Sequence, residues 1–216
     1  LKKLHIGILG GTFNPIHFGH LRLAEEILEN LSLDEVRLIP SAQPPHKAAP
    51  QVSAEHRANM VKLAIQNNTK FVLDDCELMR TGASYTVDTL IELRKKLGTQ
   101  ASLFLIMGSD AFAHLNTWHR WEEILDYCHI VLVERPQHEN FIDHLSAEMK
   151  IFFESHSQKS LLDLPKNPSG SIITQTITPL AISSTNIRER LQNKKSVHNL
   201  LPQNVSDYIE AHQLYT

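Results

Sequence analysis

The densest chemical signal in the chain is the run Gly10-Gly11-Thr12-Phe13-Asn14-Pro15-Ile16-His17-Phe18-Gly19-His20. Adjacent glycines let a backbone approach a phosphate closely, and a helix starting just after them offers unpaired N–H groups and the positive end of a dipole. His17 and His20 are three apart, so on a helix they project to the same side. Imidazoles so placed can donate hydrogen bonds to phosphoryl oxygens and stabilise charge as it grows. The plain alternative is a tight turn followed by two surface histidines. With 13 His and 8 Gly in 216 residues, His-x-Gly-His arises by chance roughly 0.03 times, which favours function. Two other chemistries fit less well. The glycines stand at 7, 10, 11 and 19, so the G-x-G-x-x-G fingerprint of hydride-transfer enzymes is absent. A zinc site would need H-E-x-x-H or a nearby cysteine, and the segment has neither. No protein metal site is expected.

A second constellation, Ile182-Ser183-Ser184-Thr185-Asn186-Ile187-Arg188, stands near the other end, with Arg190 just beyond. Three consecutive hydroxyls before an apolar-periodic stretch can simply cap a helix. The same donors with a fixed cation one turn inside can also cradle a polyphosphate. Smaller pieces lie between: Pro44-Pro45-His46-Lys47, Ser84-Tyr85-Thr86-Val87-Asp88-Thr89-Leu90, Gly108-Ser109-Asp110 and Thr117-Trp118-His119. Each has an ordinary reading: Lys47 a solvated charge, Asp110 a helix cap, Trp118 and Trp121 two core aromatics on one helix.

Short branched-apolar runs alternate with helical patterns and must carry these residues. Strands are expected at Leu4–Leu9, Val36–Ile39, Phe71–Leu73, Leu103–Met107, Ile130–Val133 and Ile172-Ile173, and helices at Phe18–Leu31, after Ser53, Thr86–Leu97 and Trp118–Leu125. Two short helices close the chain. This rhythm predicts a Rossmann-like, doubly wound α/β domain with a mostly parallel sheet, a single domain spanning 1–216. Residues 137–168 break it and read as a peripheral excursion. In such sheets ligands bind beyond the carboxyl ends of the strands, and each motif follows an apolar run.

Composition excludes several classes. With 42% apolar and 21% charged residues the chain is an ordinary globular protein, neither disordered nor collagen-like nor coiled-coil. A formal charge of −3 gives no global field for nucleic acid or an anionic membrane. Cys76 and Cys128 match no metal or redox spacing. No run approaches the ~18 apolar residues of a membrane span, and a cytoplasmic location is expected, as monomer or homodimer, with no nucleic-acid or membrane partner.

The ordered set of motifs resembles the nucleotidyltransferase superfamily and, within it, the bacterial nicotinate-nucleotide adenylyltransferases, over nearly the whole chain. It departs at Asn14, where many members carry Asp, and the segment 137–168 has no counterpart. The resemblance implies transfer of AMP from ATP to nicotinate mononucleotide, giving deamido-NAD and pyrophosphate in NAD biosynthesis. By that resemblance His17, His20, Lys47 and Arg188 are catalytic. ATP would be bound by Gly10, Gly11, Thr12, Phe13, His17, His20, Gly108, Asp110, Ile182, Ser183, Ser184, Thr185 and Arg188. Asn14, Lys47, Ser84, Tyr85, Thr86, Trp118 and His119 would bind the mononucleotide, with Trp118 stacking on the pyridine and Trp121 left to the core.

The chemistry is consistent with these residue types. A phosphate monoester is largely dianionic at pH 7, so no general base or covalent intermediate is required, and the work is positioning and charge neutralisation. Mg²⁺ would accompany ATP with few or no protein ligands. The opening turn of the helix at Thr86 carries unpaired N–H donors. These suit a carboxylate better than an amide and favour nicotinate over nicotinamide. The rivals are a nucleotidyltransferase with another phosphorylated acceptor, which would not need the Ser84–Thr86 and Trp118 pieces, and a nucleotide sensor without turnover, which would not need His17, His20, Lys47 and Arg188.

Overall fold

The computed structural model describes residues 3–42, 50–134, 141–159 and 167–216. Seven strands form one sheet in the order β3-β2-β1-β4-β5-β7-β6: β1 Leu4–Gly11, β2 Glu35–Pro40, β3 Phe71–Leu73, β4 Ala101–Gly108, β5 His129–Glu134, β6 Ser157–Gln158 and β7 Ile172–Thr176. Every pairing is parallel. The central strand β4 reads Ala-Ser-Leu-Phe-Leu-Ile-Met and is buried throughout until Gly108, as a strand covered on both faces must be.

Alternation along the strands divides the interior into two layers. Leu9, Val36, Leu38, Phe104, Ile106, Val131 and Val133 face one side. There they meet α1 (Phe18–Asn30), α2 (Ala54–Ile65), α7 (Ser184–Gln192) and α8 (Gln203–Ala211) through Ile27, Met60, Ile187 and Val205. Ile6, Ile8, Leu103, Leu105, Met107, Ile130 and Leu132 face the other. That side is covered by α3 (Thr86–Leu97), α4 (Ser109–Ala113), α5 (Ile124–Tyr127) and α6 (Ala147–His156). This is the doubly wound arrangement expected from the sequence.

Two local expectations need correction. Trp118–Leu125 is not one helix: Trp118 is extended (φ −80°, ψ 150°), Arg120 is left-handed (φ 51°), and only a short 3₁₀ turn and α5 follow. The two tryptophans therefore do not share a helix face. Trp121 packs edge-on against Phe152 of α6, with centroids 5.0 Å apart, while Trp118 goes elsewhere. The described part of segment 137–168 is also more than a surface excursion. Phe141, Leu145, Met149 and Phe153 are buried in the second layer, β6 pairs with β7, and Asn116 donates to Glu148 at 2.7 Å. The excursion thus backs the chain segment that carries Trp118.

The strand order reverses direction between β1 and β4, so their carboxyl ends, Gly11 and Gly108, flank the switch point where a parallel sheet leaves a crevice.

Candidate active site

The turn after β1 is tightly specified. Phe13 adopts φ 46°, uncommon for a side chain with a Cβ, and its ring is 2% exposed. The ring lies in the core, edge-on to His20 at 5.1 Å, so only the Phe13 backbone is left to meet a ligand. His17 is the N-cap of α1: its Nδ1 accepts the Gly19 N–H at 3.1 Å, and His20 Nδ1 accepts the His17 N–H at 3.3 Å. The rings stack 3.8 Å apart at 28°. Because both Nδ1 atoms accept, the neutral tautomers inferred from these bonds carry their protons on Nε2. Burial lowers His17 to about 4, and burial with the neighbouring His17 lowers His20 to about 3. At neutral pH the pair is therefore two uncharged rings with fixed Nε2–H donors side by side. Gly19 makes this possible. A Cβ there would stand 2.9 Å from His17 Nδ1 and 3.0 Å from Cε1.

The start of α7 meets this turn directly. Ser183 caps α7 by accepting the Asn186 N–H at 3.1 Å, which leaves its own O–H free to donate. Ser184 is already committed, donating to the Pro15 carbonyl at 2.9 Å. Arg188 donates to the Asn14 carbonyl at 2.8 Å and to Thr185 Oγ1 at 3.2 Å, using two of its five N–H groups. Two helix N-termini, the paired imidazoles and Arg188 thus converge, an arrangement built for a polyanion. Ile182 is half-buried and packs against the first core layer.

A cavity of about 450 Å³ opens at the switch point. Of the expected ligand residues it is lined by Gly10, Gly11, Thr12, Ser84, Tyr85, Thr86, Gly108, Trp118 and His119. Among the described residues nothing stands within 4 Å of where a Cβ would lie on Gly10 or Gly108, so both present bare backbone. Tyr85 caps α3 without a side-chain bond, leaving first-turn N–H groups for a ligand. Its ring meets His119 at 4.4 Å, which closes the two pocket-forming segments on each other. Asp110 is exposed in the first turn of α4 but makes no cap; Gly108 holds that position. Phe13, Asn14, Asp110 and the residues of the His17–His20 and Ile182–Arg188 segments stand outside the cavity lining. Lys47, with its Pro44-Pro45-His46 neighbours, lies outside the described residues.

Three contributors escaped the sequence reading. Arg57 on α2 is 1% exposed. It donates to the carbonyls of Thr12 (2.6 Å), Ser41 (2.7 Å) and Ala42 (3.3 Å), joining the phosphate-side loop to the segment after β2. Burial lowers its pKa. Tyr215 donates to Asn14 Oδ1 at 2.6 Å. Glu77, 8% exposed, lines the cavity and accepts from Thr89 Oγ1 at 2.8 Å. Two of these act on carbonyl or amide groups with no sequence signature; a carboxylate seven residues before Ser84 was the one readable clue.

Fold and site together define an α/β nucleotidyltransferase: a switch-point crevice, bare glycine backbone and converging helix N-termini suited to an anion. The chain belongs to the cytidylyltransferase-like family, whose model matches residues 8–190. It is 47% identical over 210 residues to a Dechloromonas aromatica chain named probable nicotinate-nucleotide adenylyltransferase, spanning 97% of each. A Pseudomonas fluorescens chain of the same name is 47% identical over 210 residues, 97% of this chain and 96% of that one. The Plasmodium falciparum nicotinic acid mononucleotide adenylyltransferase complexed with NaAD superposes with a TM-score of 0.72 over 98% of this chain and 97% of that chain. At 21% identity that likeness establishes the fold. The resemblance read from the motifs to the bacterial nicotinate-nucleotide adenylyltransferases is borne out by these relatives.

Proposed function

We propose that the protein transfers AMP from ATP to nicotinate mononucleotide, forming nicotinate adenine dinucleotide and releasing pyrophosphate. The observation that carries this is the neighbourhood of two features: a polyanion cradle at the starts of α1 and α7, and a cavity lined by Gly10, Gly11 and Thr12 in which uncapped α3 donors stand beside Trp118 and His119. The relatives' printed names support the same reaction.

The phosphate oxygen of the mononucleotide attacks the α-phosphorus of ATP, the bond from that phosphorus to the bridging oxygen breaks, and the electron pair leaves with pyrophosphate. The nucleophile is already dianionic, so no side chain need remove a proton. What the chain supplies is placement and a receptor for leaving-group charge. His17 and His20 present neutral Nε2–H donors, Ser183 an O–H, and Arg188 its remaining N–H groups. Gly10, Gly11 and Thr12 allow the backbone to lie against phosphate, and Asp110 stands near the ribose of the nucleotide. Trp118 stacks on the pyridine, and the N–H groups from Tyr85 to Asp88 with that of His119 receive its carboxylate. Asn14 and Lys47 belong to the mononucleotide side.

Mg²⁺ fits as a companion of the triphosphate, since it favours phosphate oxygens and water and asks at most one or two carboxylates of a protein. When bound it neutralises phosphate oxygens. The substrates are small molecules, and no described helix is long and apolar enough to cross a membrane; we place the enzyme in the cytoplasm.

Incubation with ATP, Mg²⁺ and nicotinate mononucleotide should release pyrophosphate. Turnover with a non-pyridine phosphate acceptor alone would reassign the acceptor, and ATP binding without any turnover would make the protein a sensor.

A further inference from the structure

The first turn of α3 reads the pyridine carboxylate with backbone donors and is closed by the Thr89 N–H donating to the Tyr85 carbonyl at 3.2 Å. Tyr85 provides no side-chain cap, and Gly82, three residues earlier, has φ 97°. A further restraint comes from a buried network. Glu77 Oε1 accepts from Thr89 Oγ1 at 2.8 Å, and Arg80 donates to the same hydroxyl. Ser84 favours the charged form of the Glu77 carboxyl, and its Oγ accepts the Ala42 N–H at 3.1 Å. Arg80 stands 3.8 Å from Glu77 as its counter-charge. The carboxyl group is therefore bonded to Thr89 at the end of the donor-bearing turn, while Ser84 at its start is bonded to the segment after β2.

We propose that Glu77 is a positioning residue that fixes the first turn of α3, and with it the backbone donors that discriminate a pyridine carboxylate from a carboxamide. The inference rests on nicotinate mononucleotide being the substrate. Backbone donors recognise a charge only as sharply as their directions are fixed, because a turn that can rotate pairs nearly as well with an amide oxygen. Burial of Glu77 raises its pKa, which Thr89, Ser84 and Arg80 oppose. The network is thus costly to build in the interior, and its place against the cavity gives that cost a use. Among the described residues Glu77 Oε2 has no hydrogen-bond partner.

The test compares the unchanged protein with Glu77→Ala, Glu77→Gln, Thr89→Val and the Glu77→Ala/Thr89→Val double variant. Pyrophosphate release is measured with nicotinate mononucleotide, with nicotinamide mononucleotide and with ATP varied. Glu77→Ala and Thr89→Val should raise KM for nicotinate mononucleotide about tenfold and cut the acid-over-amide preference in kcat/KM by a similar factor, while KM for ATP stays within about twofold. Glu77→Gln keeps an acceptor for Thr89 and should retain the preference within about threefold. The double variant should be no worse than Glu77→Ala, since both act through one network. Equal rises in both KM values accompanied by a lowered Tm would make Glu77 a stability residue and overturn the proposal, as would an undiminished acid preference in Glu77→Ala. Should Glu77→Ala not fold, the near-isosteric Thr89→Val decides alone. Absence of acid preference in the unchanged protein would defeat the substrate assignment itself, an outcome visible before any variant is compared.

Discussion

Replacing Gly19 by alanine adds one methyl group at the point where α1 presents its histidines. The new Cβ would sit 2.9 Å from His17 Nδ1 and 3.0 Å from its Cε1, with the Ile182 carbonyl 3.5 Å away. The His17 ring cannot simply swing aside, because its Nδ1 holds the Gly19 N–H and its face lies 3.8 Å from the His20 ring. Relief requires tilting that ring or shifting the first turn of α1 away from α7. Overpacking of this kind costs roughly 1–3 kcal/mol, and alanine in a helix returns about 1 kcal/mol relative to glycine. The net loss of stability is therefore about 1 kcal/mol, a fall in Tm of about 2–4 °C for a chain of this size. Catalysis has no such offset. A displaced Nε2–H no longer meets the leaving-group oxygen, and a misplacement near 1 Å costs about 10²-fold. Gly19→Ala should thus stay folded by thermal melting yet lose about 10²-fold in kcat for pyrophosphate release. A folded variant with kcat within about threefold of the parent would show that the histidine pair tolerates displacement, and the geometric account of its role would fail.

Removing the ring altogether, as in His20→Ala, should lower kcat by about 10²-fold with KM for ATP little changed, because its partner charge exists mainly in the transition state; a raised KM with normal kcat would reassign it to ground-state binding. Burial holds His17 and His129 at about 4 and His20 at about 3, below the 6.5 of an unfolded chain, so the unfolded state takes up protons first as pH falls. Their contribution is complete above pH 6.5 and is lost as pH drops toward 4. Urea melts should follow that course, and a steeper fall above pH 6.5 than below it would contradict the assignment. Arg57→Lys replaces a fork spanning three carbonyls with a single ammonium and should cost about 2 kcal/mol in urea unfolding; an unchanged midpoint and slope would count against it. Nicotinate mononucleotide should exceed nicotinamide mononucleotide by at least ~10²-fold in kcat/KM, and this should survive Thr86→Ala because backbone supplies the donors. Loss of the preference in that variant would point instead to a side chain, His119 first.

Legibility in the sequence followed the kind of interaction. The periodicity of Leu21, Ala24, Ile27 and Leu28 locates α1 because burial and helical geometry act on side chains that are visible in the sequence, and Ala24, Ile27 and Leu28 are buried. The apolar run Leu103–Met107 gives β4 for the same reason. The break at Arg120 is invisible because neither glycine nor proline marks a left-handed residue there. Arg57 reads as a surface cation on a helix; only the tertiary fold supplies three backbone carbonyls for it, and carbonyls have no residue identity. Tyr215 and Asn14 are 201 positions apart, beyond any local pattern. Thus the pocket glycines and histidines could be listed from sequence, while the groups that aim them could not.

The bonds from Arg188 to Asn14 and from Ser184 to Pro15 join positions 174 and 169 residues apart. During synthesis the turn after β1 emerges early, and the start of α7 that meets it is made only after all seven strands. In the proposed reaction the nucleotide would bridge these two segments and so act as a clasp on the completed fold. At 100 times its dissociation constant, a ligand bound only by the native state adds about 2.7 kcal/mol, here applied where the two distant chain segments meet. Loss of activity on mild destabilisation should accordingly be delayed by ATP, with both segments becoming protease-resistant together.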